Sequence, residues 1–212
     1  MALTEEFLDT TINLAALNID ITATSQNVAG DEVWYYKVTE KDNQSAEISL
    51  TLTTMVIAGP INTFLMKILG AQSSTTGSSF ASFYRSVYNL AQAKLNQGNV
   101  DLMYYYGAND LSTLAAPDDD HAALIFTNPT NGLQTWTIKN NTRYKMVTDA
   151  IVDDAVIVEQ TAAGVTQSRI TNLTAGKYLA FITTSGMKGL IKVETMTAGD
   201  DGSITISVKV QL

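Results

Sequence analysis

Cysteine is absent from this sequence of 212 residues, and histidine occurs once, at position 121. Without cysteine, the chain cannot carry disulfide bonds, thiolate zinc sites, iron–sulfur clusters or a cysteine nucleophile. One histidine also excludes metal sites that take two or three histidines from the same chain. His121 has no evident serine partner as a general base, and its position after three acids predicts an exposed loop residue.

Charged residues are scarce as well, and those present are mostly acidic. They make up 16% of the sequence, and the formal net charge is −8. Contact with nucleic acid needs clustered lysine and arginine, which are missing here, so we expect no direct nucleic-acid binding. A glycine-rich phosphate loop, a GxSxG elbow and an HExxH helix are also missing. We therefore predict that the protein is not an enzyme and uses no cofactor.

No apolar run is long enough for a membrane span. Residues 55–70 come closest, but they fall short of the ~20 apolar residues required, and Pro60 and Lys67 interrupt them. We interpret this segment as a buried strand end followed by a core helix, with an interfacial or partner-binding segment as the alternative. The first ten residues lack a basic region and an apolar core, so no secretory signal is visible. Either the chain acts where it is made, or its signal was removed.

The pattern most typical of a helix lies at residues 79–97. Its apolar residues recur at the spacing of one helix face, Ser78 or Ser79 can cap its start, and Gly98 suits its end. We predict that this central helix covers a sheet that could not otherwise bury its inner face. The residues of the apolar face are Phe80, Phe83, Tyr84, Val87, Leu90, Ala91 and Leu95.

Residues 1–116 are predicted to form an α+β domain. The pattern indicates helices at 4–16 and 60–69 beside the central one, and strands at 17–22, 32–41, 47–54 and 100–106. A proline followed by an acidic run within residues 114–121 marks the domain boundary.

Residues 117–212 are predicted to form an all-β, sandwich-like or barrel-like domain. Turn residues separate eight apolar or alternating runs, which is the spacing of such folds. The last run, 203–212, has the cleanest alternation. The eight predicted strands are 122–127, 133–139, 143–152, 155–160, 165–171, 177–184, 188–196 and 203–212. The predicted fold class is thus α+β but predominantly β, with an N-terminal antiparallel sheet covered by one or two helices.

The acidic run Asp118, Asp119 and Asp120 has two interpretations. Calcium prefers several carboxylate and carbonyl oxygens, which such a run can supply. The spacing is not that of an EF-hand, however, and this favours a solvated acidic linker. We expect no other metal site.

Two aromatic runs place rings on both faces of their strands, so at least one ring in each run is expected to point away from the local core. Such rings can stack on sugars or anchor a partner, unless a helix and a second sheet cover both faces. Together with the apolar segment they supply the predicted interface residues, which are Trp34, Met55, Val56, Ile57, Phe64, Leu65, Tyr104, Tyr105 and Tyr106.

Three functional hypotheses follow. The first is a structural subunit that assembles with copies of itself and with other structural subunits, in a virion shell, a phage tail or an extracellular filament, and that is cytoplasmic before assembly. The second is a bacterial surface adhesin or carbohydrate-binding module that uses the aromatic runs to hold a glycan. The third is a membrane-active toxin whose strand at 47–54 refolds into a β-pore.

Overall fold

The computed structural model describes residues 30–39, 43–54, 60–148 and 154–211. The chain divides into two compact units, Met1–Val56 and Ile57–Leu212. In the first unit, strands β1 (Gly30–Thr39) and β2 (Ser45–Thr54) form an antiparallel hairpin. Trp34 lies opposite Leu50 and Tyr36 opposite Ile48, so these four residues share one face of the hairpin. The predicted elements at 4–16 and 17–22 lie outside the described residues.

The second unit contains two five-stranded antiparallel sheets. The first has the order β3-β12-β11-β10-β8, and the second has the order β5-β4-β6-β7-β9. The strands are β3 (Ile61–Gly70), β4 (Ser79–Ala81), β5 (Ser86–Tyr88), β6 (Leu102–Gly107), β7 (Leu111–Ala115), β8 (Arg143–Val147), β9 (Arg169–Ile170), β10 (Tyr178–Ile182), β11 (Lys188–Thr197) and β12 (Ser203–Gln211).

One hydrophobic core is shared by the two sheets. Phe181 and Ile206 of the first sheet belong to the same buried cluster as Tyr104 and Leu114 of the second. Burial of both inner faces against each other is what alternating apolar strands require. The prediction of a predominantly β, antiparallel protein is confirmed.

In the part of the second unit that the structure describes, three short helices lie on the outer faces of these sheets. They are α1 (Leu90–Leu95), α2 (Asp120–Ile125) and α3 (Asp154–Thr161). Ala93 of α1 and Ala122 of α2 pack with Tyr105 in a second cluster. Ile157 of α3 packs with Ala180 and Leu190 in a third. Among the described residues, none of the helices has the length and apolarity needed to cross a bilayer.

The central helix predicted at 79–97 is wrong. This stretch instead forms the β4–β5 hairpin, and helix begins only at Leu90, where Asn89 and Gln92 make a capping box. Phe80 is fully buried and lies opposite Leu102 of β6. A hairpin can also bury apolar residues at irregular spacing. The apolar residues of this stretch therefore match the helical period although residues 79–88 form a hairpin.

The helix predicted at 60–69 is also a strand, β3. Its pairing with β12 shifts register between Ile206 and Val208, and Met66 adopts a left-handed φ of 55°. This bulge inserts a residue, so the inward-facing Phe64 and Leu69 are five positions apart and the period-two signal is lost.

The domain boundary predicted between residues 116 and 117 does not coincide with the observed division. β3, from the predicted first domain, pairs with β12, from the predicted second domain. The second predicted domain is not all β either, because 122–127 and 155–160 are largely helical and 133–139 contains only a 3₁₀ turn, Leu133–Thr135. The predicted strands at 143–152, 177–184, 188–196 and 203–212 are present, most of them shorter, and only Arg169–Ile170 of 165–171 is strand.

Candidate functional site

The outer edge of β3 carries three exposed apolar side chains, which we call the edge patch: Leu65, Met66 and Ile68. Their exposed fractions are 68%, 59% and 52%. β3 ends its sheet, and in the described ranges no strand pairs with its free edge. The bulge creates this patch, because it turns two successive residues away from the core.

A second apolar feature lies near the start of β3, in the turn between β4 and β5. The rings of Phe83 and Tyr84 meet edge to face at 5.1 Å, and each is about half exposed. Arg85 holds the turn in place, since its guanidinium lies 4.9 Å from the ring centroid of Phe64 and donates to Asn62 Oδ1 at 3.1 Å. The free edges of the two sheets therefore meet at one corner.

The sheets are joined by backbone hydrogen bonds at another place, around β8. Tyr144 of β8 and Gln167 exchange backbone hydrogen bonds at 2.8 and 3.1 Å. One residue further, the Ala116 N–H donates to the Ser168 carbonyl at 2.8 Å. In the described residues these bonds take up part of the β8 edge, whereas no strand pairs with the outer edge of β3.

The outer face of the first sheet contains a pocket of about 270 Å³, which we call the outer groove. Tyr178, Lys192 and Ser207 form one row across β10, β11 and β12, because Lys192 is the register partner of both others. Glu194 lies beside this row, and its Oε2 accepts from Lys192 Nζ at 2.7 Å. Leu65 of the edge patch borders the groove.

The ion pair of the outer groove is charged at neutral pH. The hydrogen bond with Glu194 raises the pKa of Lys192. Hydrogen bonds from Lys192 and Ser207 lower the pKa of Glu194. The groove thus presents an ammonium and a carboxylate side by side.

A second pocket, also of about 270 Å³, lies between α2 and the turn after β6. Asp110 is at its wall and binds three side chains through Oδ2. Tyr105 Oη donates at 2.8 Å, His121 Nδ1 lies at 3.0 Å, and Arg169 Nε lies at 3.8 Å. Burial raises the pKa of Asp110. The hydrogen bonds and the nearby charges together lower the pKa by more than burial raises it, so it lies below its usual value.

Asp119 is a second structural carboxylate behind this pocket. Its Oδ1 accepts from the backbone N–H groups of His121 and Ala122, which caps α2. Its Oδ2 accepts from Ser168 Oγ at 2.6 Å and from Arg169 at 2.9 Å. Burial raises the pKa of Asp119, but these bonds lower it more, so the net shift is downward. Both carboxylates serve to join elements of the fold.

The acidic run therefore does not converge on one point. Asp118 makes a two-point pair with Arg143 at 2.7 and 2.9 Å, while Asp119 is buried and Asp120 is exposed. Among the described residues, no group of three or more Asp, Glu or His side chains is arranged to hold a metal ion. His121 lies in α2 rather than in a loop, with half of its side chain exposed.

The predicted interface residues have different positions. Leu65 is exposed, Phe64 is buried, and Trp34 is half-buried. Tyr104 and Tyr105 are fully buried and Tyr106 is half-buried, so the second aromatic run is mainly core rather than a platform. Both faces of β6 are covered, by the shared core on one side and by α1 and α2 on the other. Met55, Val56 and Ile57 lie outside the described residues.

Sequence reasoning missed the outer groove, since its residues come from four strands that are distant along the chain. It also missed Asp101, whose Oδ2 accepts from the backbone N–H of Ser82 at 2.8 Å and from the Ser82 hydroxyl. Burial raises the pKa of Asp101, and the Ser82 hydrogen bonds oppose this only in part. A single acid after Asn99 and Val100 gives no local signal in the sequence that its carboxylate will accept hydrogen bonds from Ser82.

Neither a protein-family model nor a curated protein matches this chain. Among solved structures, the crystal structure of a DUF4466 family protein from Parabacteroides merdae is similar, with a TM-score of 0.50 and 16% sequence identity. The similarity covers 86% of this chain and 62% of that one, so the chain spans less than two thirds of that protein. At this identity the similarity concerns the fold alone, and it supports the β-rich architecture.

Proposed function

We propose that this protein is a non-enzymatic structural subunit that assembles with copies of itself through the edge patch. The observation that carries the proposal is the exposure of Leu65, Met66 and Ile68 together on one strand edge. Exposed contiguous apolar side chains on a free edge are characteristic of association surfaces.

A second copy suits this surface for electrostatic reasons. The chain has a net charge of −8, whereas β3 contains one charged residue, Lys67, and no acid. Two copies that meet at β3 therefore bring little like charge close together. Other structural subunits of the same particle, in a virion, a tail or an extracellular filament, belong to the proposal as further partners.

The roles of the acidic residues support a non-enzymatic protein. Asp101, Asp110 and Asp119 each bind two or more groups of the fold. A carboxylate that is already saturated with structural hydrogen bonds is a poor general base. Direct contact with nucleic acid is not part of the proposal, because the charge is of the wrong sign.

Sedimentation velocity over a range of protein and salt concentrations tests the assembly. We expect the mass of the full chain to increase with concentration, and more strongly at high salt, which screens the net charge. The double variant Leu65→Lys/Ile68→Lys should remain monomeric, because it charges the edge patch. Leu95→Lys is the matched control, since Leu95 is 87% exposed on α1, outside the edge patch.

A wild-type chain that stays monomeric at every concentration would contradict the proposal. Equal loss of assembly in the Leu95→Lys control would also contradict it, because the effect would then come from added charge rather than from the edge patch.

A further inference from the structure

We propose that the outer groove binds a neutral oligosaccharide. The groove shares Leu65 with the edge patch, but its ligand and the residues that would bind it differ from those of the assembly proposed above. The inference is carried by the row Tyr178, Lys192 and Ser207 and by the neighbouring Glu194, which the strand register places on one face.

The ion pair is suited to a pair of neighbouring sugar hydroxyls. Lys192 Nζ donates hydrogen bonds and Glu194 Oε2 accepts them, and the two atoms are 2.7 Å apart. One hydroxyl oxygen can accept from the ammonium while the next hydroxyl donates to the carboxylate. The side chains remain 41% and 19% exposed, so both have surface available to a ligand.

The walls of the groove are suited to the C–H face of a sugar ring. Tyr178 lines one side with its ring half-buried against the cluster under α3, and Leu65 lines another. An aromatic ring fixed by packing offers a rigid apolar surface at small entropic cost. The volume of about 270 Å³ is near the lower end for small-molecule pockets, about 300 Å³, which suits a short saccharide segment.

A neutral ligand is favoured over an anionic one. Lys209 also lines the groove, but at the ion pair itself an added anion would face the carboxylate of Glu194 as well as the ammonium of Lys192. Hydroxyl groups can use both members of the pair, whereas an anion can use only one.

The test is affinity electrophoresis of the full chain through gels that contain dextran, mannan, galactan or a soluble β-glucan, with polygalacturonate as the acidic comparison. We expect at least one neutral polymer to retard the wild-type protein. Glu194→Gln should weaken that binding about tenfold, since it replaces a charged acceptor with a neutral one. Tyr178→Leu should weaken it to a similar degree.

Two exposed residues outside the groove provide matched controls. Glu159→Gln repeats the acidic change on α3, and Lys177→Met repeats the loss of a lysine that Lys192→Met would cause. Neither control should change the retardation. A thermal melt shows whether Tyr178→Leu is folded; if it is not, Glu194→Gln and Lys192→Met decide the question because both positions are on the surface.

Three results would overturn the inference: no retardation by any neutral polymer, retardation by polygalacturonate only, or unchanged binding in both Glu194→Gln and Lys192→Met. None of these variants alters the edge patch, so a failure here leaves the sedimentation test of assembly independent.

Discussion

Arg169 donates to Asp119 Oδ2 at 2.9 Å and thereby ties strand β9 to the first turn of helix α2. The carboxylate is almost fully buried, with 1% of its side chain exposed, whereas the guanidinium is 29% exposed. Asp119 also caps α2 and accepts from Ser168, the residue before Arg169, so a single carboxylate joins α2 to the segment that enters β9.

Asp119→Ala should be strongly destabilising, because the carboxylate that it removes is buried. It removes a helix cap and leaves Arg169 and the Ser168 hydroxyl without their acceptor, so we expect a loss of about 3 kcal/mol in the free energy of unfolding. Urea denaturation measures this loss. Asp120→Asn is the neighbouring control and should change stability by less than about 1 kcal/mol, because Asp120 is exposed. Similar losses for both variants would contradict the assigned role.

The same carboxylate predicts a dependence of stability on pH. The pKa of Asp119 is lowered in the folded chain, so its contribution is present above the unfolded value, about 3.9, and is lost as pH falls through the folded value. Asp110 behaves in the same way. The difference in stability between wild type and Asp119→Asn should therefore shrink on acidification from pH 6 to pH 3. A difference that is constant with pH would show that the charge of Asp119 contributes nothing.

For Asp101 we expect the opposite dependence of stability on pH. Burial raises its pKa in the folded chain, so ionisation costs stability as pH rises through the interval between the unfolded and folded values. Asp101→Asn should match or exceed the wild type in stability at pH 7, because an amide oxygen can still accept from Ser82. Asp101→Ala should be less stable by about 1–3 kcal/mol, since it leaves the buried backbone N–H and hydroxyl of Ser82 without their acceptor. Chemical denaturation of both variants at pH 7 checks this, and an Asn variant as unstable as the Ala variant would contradict it.

Gly189 lies under the ring of its cross-strand partner Phe181. A Cβ at this position would overlap the ring, and it would also come within 2.6 Å of the Lys209 carbonyl oxygen. We expect Gly189→Ala to cost about 1–3 kcal/mol, as overpacked sites do. Gly98→Ala serves as the control, because the nearest atoms there are 3.9 Å away and belong to the flexible side chain of Ile138. Thermal denaturation compares the two variants. Equal melting temperatures would contradict the prediction, because they would show that β10 and β11 can move apart to admit the methyl group without loss of stability.

Strand β12 was predictable because its residues alternate and are buried in the same alternation. Ile204, Ile206, Val208 and Val210 are all in the shared core. β3 was not predictable, since the bulge at Met66 removes the alternation on which such a prediction depends. The strands predicted at 122–127 and 155–160 are largely helical, because a short apolar run fits a buried strand and a buried helix equally well.

The candidate sites also differ in how far the sequence predicts them. Leu65 was a predicted interface residue, and its exposure agrees with a surface position. Tyr104 and Tyr105 were predicted for the same surface, but the side chains on both sides of β6 enclose them, which depends on elements far along the chain. The outer groove depends on register between β10, β11 and β12, and no local pattern specifies register between strands.

The backbone bridge between Tyr144 and Gln167 bears on how the proposed assembly would grow. That bridge takes up part of the β8 edge, so among the described residues the ten-residue strand β3 is the longer unpaired edge of the first sheet. In the proposed assembly, two copies that pair symmetrically at β3 would cover each other's unpaired edge, and this contact alone would give a dimer. A ring, tube or filament therefore requires either a head-to-tail contact between β3 and a different face or a second attachment point elsewhere on the chain. The stoichiometry of the smallest stable species distinguishes these two architectures.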